Sequence, residues 1–177
     1  VIGVLQVQNL KPDSFTEMDL KKLEPFAVLL ASSLQRTKLY ESLQEEFREK
    51  TKAYEQSRMY YRGIEQSPNS IVITNAAGEI EYVNPYFTWL TGYTLEDAIG
   101  KNPNILQSGQ TSKIVYEEMW KTITGGEVWL GEFLNMKKNG ELYWESASIG
   151  PIFDANGAVT HFIAIKQDIT EKKKQDK

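Results

Sequence analysis

Cysteine is absent from all 177 residues, which removes disulfides, thiolate metal sites and a cysteine nucleophile together. Histidine occurs once, at His161, so a histidine-rich metal cluster and most general-base designs are excluded too. Positive charge is not in excess: the formal net charge is -4, which gives no basic footprint for nucleic acid. No apolar run approaches the length that spans a bilayer, and the N-terminus lacks a signal-peptide pattern, so a cytoplasmic chain without membrane insertion is expected. No phosphate-cradling glycine motif and no nucleophile-base pair occurs, so catalysis by this stretch of chain is not expected.

What is present falls into three textures. Val1 to Asn9, "VIGVLQVQN", is β-branched and apolar and predicts a strand, with a turn at "LKPDS". Because the sequence starts inside that run, a fragment of a longer chain is expected. Thr16 and Asp19 then form a capping-box variant opening a helix. From there to about Tyr61 there is no glycine, and Pro25 should kink the helix or shift its start.

Leu20, Leu23, Ala27, Leu30 and Leu34 keep a 3-4-3-4 spacing, the seam of a coiled coil. That seam ends at Glu41 and Gln44, and a second register, offset by one residue, takes over through Tyr40, Leu43, Phe47, Lys50, Tyr54, Ser57 and Tyr61. A helix of that span is roughly 70 Å long, more than one globular domain buries. Two readings follow: a pair of shorter helices, each on its own domain, or one helix shared between the subunits of a homodimer.

From Ser67 onward the chain is punctuated by glycine. "SIVITNAAGEIEYVNPYF" predicts two strands around a glycine turn, closed by Asn84-Pro85. Short helical turns follow, broken at Gly92 and Gly100, and then a helix, "KIVYEEMWKTI", capped by Thr111 or Ser112 and stopped at Gly125-Gly126. Three strands complete the chain, with a hairpin at Asn139-Gly140 and a turn at Asn156-Gly157. The last strand is apolar on both faces, with Phe162 and Ala164 opposite Val159, Ile163 and Ile165, and so asks for cover on both sides. The large aromatics Trp89, Trp120, Trp129 and Trp144 are expected in the core.

That order of elements, and the stretch from about Tyr60 to Thr170, resembles PAS domains of bacterial signalling proteins. The resemblance implies an α+β fold, a five-stranded antiparallel sheet with short helices on one face, here preceded by a long coiled-coil-like helix. Residues 1–45 resemble the last strand and helix of a GAF domain. The expected organisation is a GAF-like end (1–45), a helical linker (46–62), a PAS sensor (63–170) and the start of an exit helix (171–177). Asp168, Ile169 and Thr170 look like the motif by which PAS domains hand over to their output helix, with Thr170 as its expected N-cap. The implied function is a sensory and dimerisation module of a multidomain protein, a histidine kinase or a diguanylate cyclase.

Photoactive light-oxygen-voltage members of that superfamily carry a cysteine where "GKNPNILQSGQT" has Pro103. This chain matches them at Asn135 but has Glu145 where they have asparagine and Lys166 where they have glutamine. A flavin-cysteinyl photocycle is thereby excluded. Redox-sensing PAS domains of nitrogen-fixation regulators bind FAD without cysteine, and Trp120 and Asn135 match their pattern. Haem-binding PAS domains use a histidine on the long helix, which is missing here, and His161 reads as structural or partly exposed.

Glu145 and Lys166 would both point into the cavity that holds flavin elsewhere. They either pair there or flare to the rim. Paired, they fill the site themselves, so the expectation is no cofactor and a small cavity for water or a small polar ligand, with FAD as the alternative.

Overall fold

The structure is a computed structural model that describes residues 16–176, with nothing said of the Leu20 side chain; the strand expected at Val1–Asn9 and its turn lie outside the described residues. By their internal contacts the residues divide into two units, 1–58 and 59–177.

In the first unit the described residues belong to one element, helix α1, which runs from Glu17 to Glu65 and so continues into the second unit. Thr16 starts it: its hydroxyl receives the Asp19 amide at 3.3 Å, and the Asp19 carboxylate accepts from the Thr16 amide at 3.0 Å. Pro25 lies inside the helix without moving its start, and the alternative of two separate helices is not what the chain adopts. The apolar side chains of the heptad pattern stay exposed in this single chain, Leu30, Leu34, Leu43, Phe47 and Tyr54 among them.

The second unit is built on an antiparallel sheet: β1 (Ser70–Asn75), β2 (Ile80–Val83), β3 (Trp129–Met136), β4 (Leu142–Phe153) and β5 (Val159–Asp168), in spatial order β2-β1-β5-β4-β3. Between β2 and β3 the chain forms helices α2 (Pro85–Thr91), α3 (Leu95–Ala98) and α4 (Lys113–Thr124), with a 3-10 turn at Pro103–Leu106. After β5 comes α5 (Thr170–Gln175). The local causes are those in the sequence. Asn84 caps α2 with Pro85 in its first turn, Thr94 and Asp97 form a capping box on α3, and Ser112 caps α4. Gly92 ends α2 at φ 77°, and Gly140 turns the β3-β4 hairpin at φ 88°, conformations that side chains resist.

Strand alternation divides the sheet into two faces. Val72, Phe133, Ala147, Ile149, Phe162 and Ala164 point inward and are buried against Phe87, Leu106, Met119 and Ile123 from the helical segments. Each buried Val, Ile, Leu, Met or Phe among them contributes about 2 kcal/mol of burial. The other face is only partly covered: Leu130 and Ile165 are exposed and Ile163 is half-buried. The expectation that β5 is covered on both sides is therefore met on one side only in the single chain.

Asn84 is a structural hub that composition does not announce. Its side-chain oxygen accepts from the amides of Ile71 (2.9 Å) and Phe87 (3.1 Å). Its amide nitrogen donates to the carbonyls of Asn69 (2.9 Å) and Ile64 (3.2 Å). One fully buried side chain thus joins the end of α1, the start of β1 and the start of α2.

Candidate functional site

A cavity of about 90 Å³ lies between the inner face of the sheet and α4. The sheet supplies Val72, Phe133, Ile149, Phe162 and Ala164 to its walls; α4 supplies Tyr116, Met119, Trp120 and Ile123; the loop supplies Asn102, Pro103, Asn104 and Gln107. Pro103 thus does line the site. Trp120 meets Phe162 edge-on, with ring centroids 5.9 Å apart. It closes over Gly78, where an added Cβ would come within 2.8 Å of the indole. Gly78 also has φ 82°, and its carbonyl accepts from the Asn102 side chain at 3.0 Å.

At the polar end of this apolar chamber sit Lys166 and Glu145. Their pairing follows from register: Ala147 lies opposite Lys166 and Glu145 opposite Asp168, so the two side chains are diagonal neighbours on the inner face. The Lys166 ammonium is 2.7 Å from the Glu145 carboxylate, and both side chains are almost completely buried. Glu145 also accepts from the Asn135 amide at 2.8 Å and from the Tyr143 hydroxyl at 3.1 Å. A buried carboxylate with three donors is a satisfied group, and that satisfaction offsets its desolvation. Burial, followed by the charge of Glu145, pushes the Tyr143 phenol far up, so its hydroxyl stays a donor.

The structure refines the expected picture in one respect. Lys166 and Asn135 line the cavity, but Glu145 does not; it stands behind them. Tyr143 and Tyr116 were missed from sequence. The signal for Tyr143 was its place two residues before Glu145 and opposite Asn135 in the β3-β4 ladder, which puts all three on one face. Tyr116, stacked on Phe133 at 5.3 Å, is the one buried side-chain polar atom among the described residues without a hydrogen bond of good geometry. Burial pushes its phenol up, opposed by the nearby Thr111 hydroxyl and reinforced by Glu145. Thr111 is itself engaged with the backbone of Leu134, on its amide at 3.0 Å and its carbonyl at 3.4 Å.

The other tryptophans part company. Trp129 is buried against Phe133, whereas Trp89 is exposed, because α2 turns that side to solvent; its expected core placement does not hold. Trp144 lies on the outer side of β4 beneath Lys173, whose ammonium is 5.2 Å from the ring centre. His161 is partly exposed, 3.1 Å from Glu81 and 2.9 Å from Thr160. No cluster of metal-ligating side chains occurs among the described residues.

The polar end of the cavity is adjacent to the end of the sheet. Trp144, next to Glu145, donates its amide to the Thr170 hydroxyl at 2.9 Å and accepts from the Ile169 amide at 2.9 Å. Asp168, opposite Glu145, accepts from both the amide (2.8 Å) and the hydroxyl (2.5 Å) of Thr170. The N-cap of α5 is Ile169, not Thr170: Thr170 is already helical, and its hydroxyl is spent on the clamp to Trp144 instead of on a cap. Glu171 occupies the first turn as expected, and Lys173 ties α5 to Glu132 at 2.6 Å.

Comparison with known proteins places this geometry. The family model described as "PAS domain" matches residues 68–171. The chain is similar to a nitrogen fixation regulatory protein of Klebsiella oxytoca, 34% identical over 112 residues, covering 63% of this chain and 23% of that protein. It is also similar to a blue-light-activated histidine kinase of Brucella canis, 32% identical over 91 residues, covering 51% of this chain and 19% of that protein. The chain therefore spans about a quarter or less of these relatives' lengths. Among solved structures, a PAS domain from Colwellia psychrerythraea superposes with a TM-score of 0.60 at 25% identity, covering 64% of this chain and 97% of that one. The LOV domain of an Erythrobacter litoralis blue-light-activated histidine kinase superposes at 0.55 with 27% identity, covering 59% and 99%.

Proposed function

Because the chain belongs to the PAS domain family, we propose that it works as a sensory relay, in which a change at the cavity is passed to α5 and to an output domain beyond it. The observation that carries this reading is the adjacency of two clamps. The Glu145-Lys166 pair and the Trp144-Thr170-Asp168 clamp share neighbouring residues on β4 and facing residues on β5. Disturbing the first moves the backbone that holds the second, and a short helix is a bistable element for such a shift. The parent is read as a cytoplasmic signalling protein, a histidine kinase or a diguanylate cyclase, and the catalytic step belongs to that output domain, not to this module. Likeness to a histidine kinase supports the first of these.

The module is also read as a parallel homodimer held by the N-terminal helix of residues 17–58, whose apolar stripe is uncovered in the single chain. Residues 1–45 are read as the end of a GAF-like domain, 46–62 as linker and 63–170 as the sensor. Light scattering tests the dimer: removing residues 1–57 should weaken association greatly, and equally tight dimers without them would exclude the helix as the main interface. For the relay, Asp168→Ala in the parent protein should uncouple output from signal while the sheet stays folded. Unchanged signalling would exclude the clamp from the relay.

A second reading, an FAD-binding redox sensor, is favoured by the likeness to nitrogen fixation regulatory proteins and by Trp120 and Asn135, which line the cavity. The residues present fit flavin poorly. The chamber of about 90 Å³ is smaller than the roughly 150 Å³ that accepts benzene, and flavin is a three-ring system. Glu145, with its three donors, has no acceptor capacity turned to the chamber. The reading without flavin is therefore preferred, and a yellow preparation releasing FAD on denaturation would reverse that preference.

A further inference from the structure

Two buried groups at the cavity have donor capacity to spare. Glu145 is committed to Lys166, Asn135 and Tyr143 and is walled off from the chamber. The Lys166 ammonium, with three N–H donors, is ion-paired with Glu145 at 2.7 Å and also faces the ring of Phe133, 5.8 Å from its centre. The hydroxyl of Tyr116, stacked on that same Phe133, is buried without a hydrogen bond of good geometry. Both groups thus border one aromatic ring, in a chamber whose other walls are apolar at Val72, Met119, Ile123 and Phe162 and polar at Asn102, Asn104, Gln107 and Asn135.

We propose that the cavity is the binding site of a small, neutral molecule with an apolar body and a carbonyl oxygen, which accepts from Lys166 and Tyr116. The body buries against the apolar walls, and the oxygen satisfies donors that are otherwise stranded. Neutrality follows from charge. Lys166 is already matched by Glu145, so a carboxylate would bring a second buried negative charge near the first, whereas a carbonyl brings none. Size follows from the volume, which is below that of a benzene site. The ligand class rests on the relay reading, since an oxygen that draws Lys166 from Glu145 is what would set the relay in motion.

Two probes of nearly equal size and shape, propionamide and propionate, each with fewer heavy atoms than benzene, separate the possibilities. Titrated into the isotope-labelled protein, propionamide should shift the Trp120 indole and Asn135 amide signals saturably, and propionate should bind at least tenfold more weakly. Tyr116→Phe should weaken the amide about tenfold. The same variant should be no less stable than the parent without ligand, because the lost hydroxyl had no bond of good geometry to lose. Tighter binding of the carboxylate, unchanged binding to Tyr116→Phe, or no saturable shift with propionamide would each overturn the proposal. Exchange at the Trp144 amide in Lys166→Met separates the two readings: if it quickens there while propionamide fails to bind the unsubstituted protein, the relay stands and the ligand class falls.

Discussion

Replacing Lys166 with methionine tests whether the buried pair is a unit. The substitution keeps the length of the side chain and its contact with Phe133 but leaves the Glu145 carboxylate, 1% exposed, without its counter-charge. Removing one member of a buried ion pair generally costs 3 to 5 kcal/mol. Here Asn135 and Tyr143 still donate to the carboxylate, at 2.8 and 3.1 Å, so the lower end, about 3 kcal/mol, is expected. With a urea dependence of about 2 kcal/mol per molar, the unfolding midpoint should fall by about 1.5 M. Glu145→Gln is the second arm. A glutamine can still accept from Asn135, and the Tyr143 hydroxyl can reverse its role, but the ammonium is left unmatched. The decisive measurement is the double variant Glu145→Gln/Lys166→Met, which buries two neutral groups and no charge. It should be more stable than Lys166→Met alone. If the double variant loses the sum of the two single losses, the side chains act independently and the argument from pairing fails.

Three further outcomes are expected. Gly78→Ala forces a Cβ to within 2.8 Å of Trp120 at a φ of 82°, so it should lose about 1 to 3 kcal/mol and alter the tryptophan emission; a neutral effect would show that the indole is free to retreat. The Lys138 ammonium, 2.6 Å away, and then the Thr94 amide hold the Asp97 carboxyl down at about 2, against an ordinary 3.8. A depressed carboxyl stabilises the fold above its unfolded value and loses that contribution as pH falls toward 2. The thermal midpoint of the parent should therefore decline relative to Asp97→Asn between pH 4 and 2, and parallel curves would refute the contact. Thr170→Val removes the acceptor of the Trp144 amide and the donor to Asp168, so exchange at Trp144 should quicken by about tenfold or more while amides in β1 are unaffected; equal protection would place the clamp elsewhere.

The fold was legible wherever a local rule carried it. Thr16, Asn84-Pro85, Ser112 and the glycines at 92, 140 and 157 mark the ends of elements through capping and positive φ, and each acts within a few residues of itself. The site was half legible. Alternation along β4 and β5 puts Glu145 and Lys166 on the inner face, and the structure brings them to 2.7 Å. That Glu145 stands behind Lys166 depends on the depth of the sheet, which periodicity does not encode. Tyr116 was hidden for a related reason: an aromatic on an amphipathic helix looks like core whether or not its hydroxyl finds a partner. Thr170 misled because a threonine before a helix normally caps it, whereas here a strand residue 26 positions earlier claims its oxygen. The shift of the helix start that Pro25 offered does not occur, because Thr16 and Asp19 already fix that start.

The four hydrogen bonds of Asn84 have a mechanical consequence. The end of α1 is fastened, through one amide group, to β1 and to α2 rather than leading into a slack linker. Tension applied along α1 arrives directly at a strand that pairs with β5, and β5 ends in Asp168 at the clamp on α5. The two helices are thus attached at the same end of two adjacent antiparallel strands, where Ser70 faces Lys166, so a load that separates them falls first on the end pairs of the β1-β5 ladder and opens it one bond at a time. Entry and exit therefore lie side by side at one end of the sheet, a pull or a twist on α1 reaches the exit clamp across a single pair of strands, and Asn84 pins the entry side of that joint.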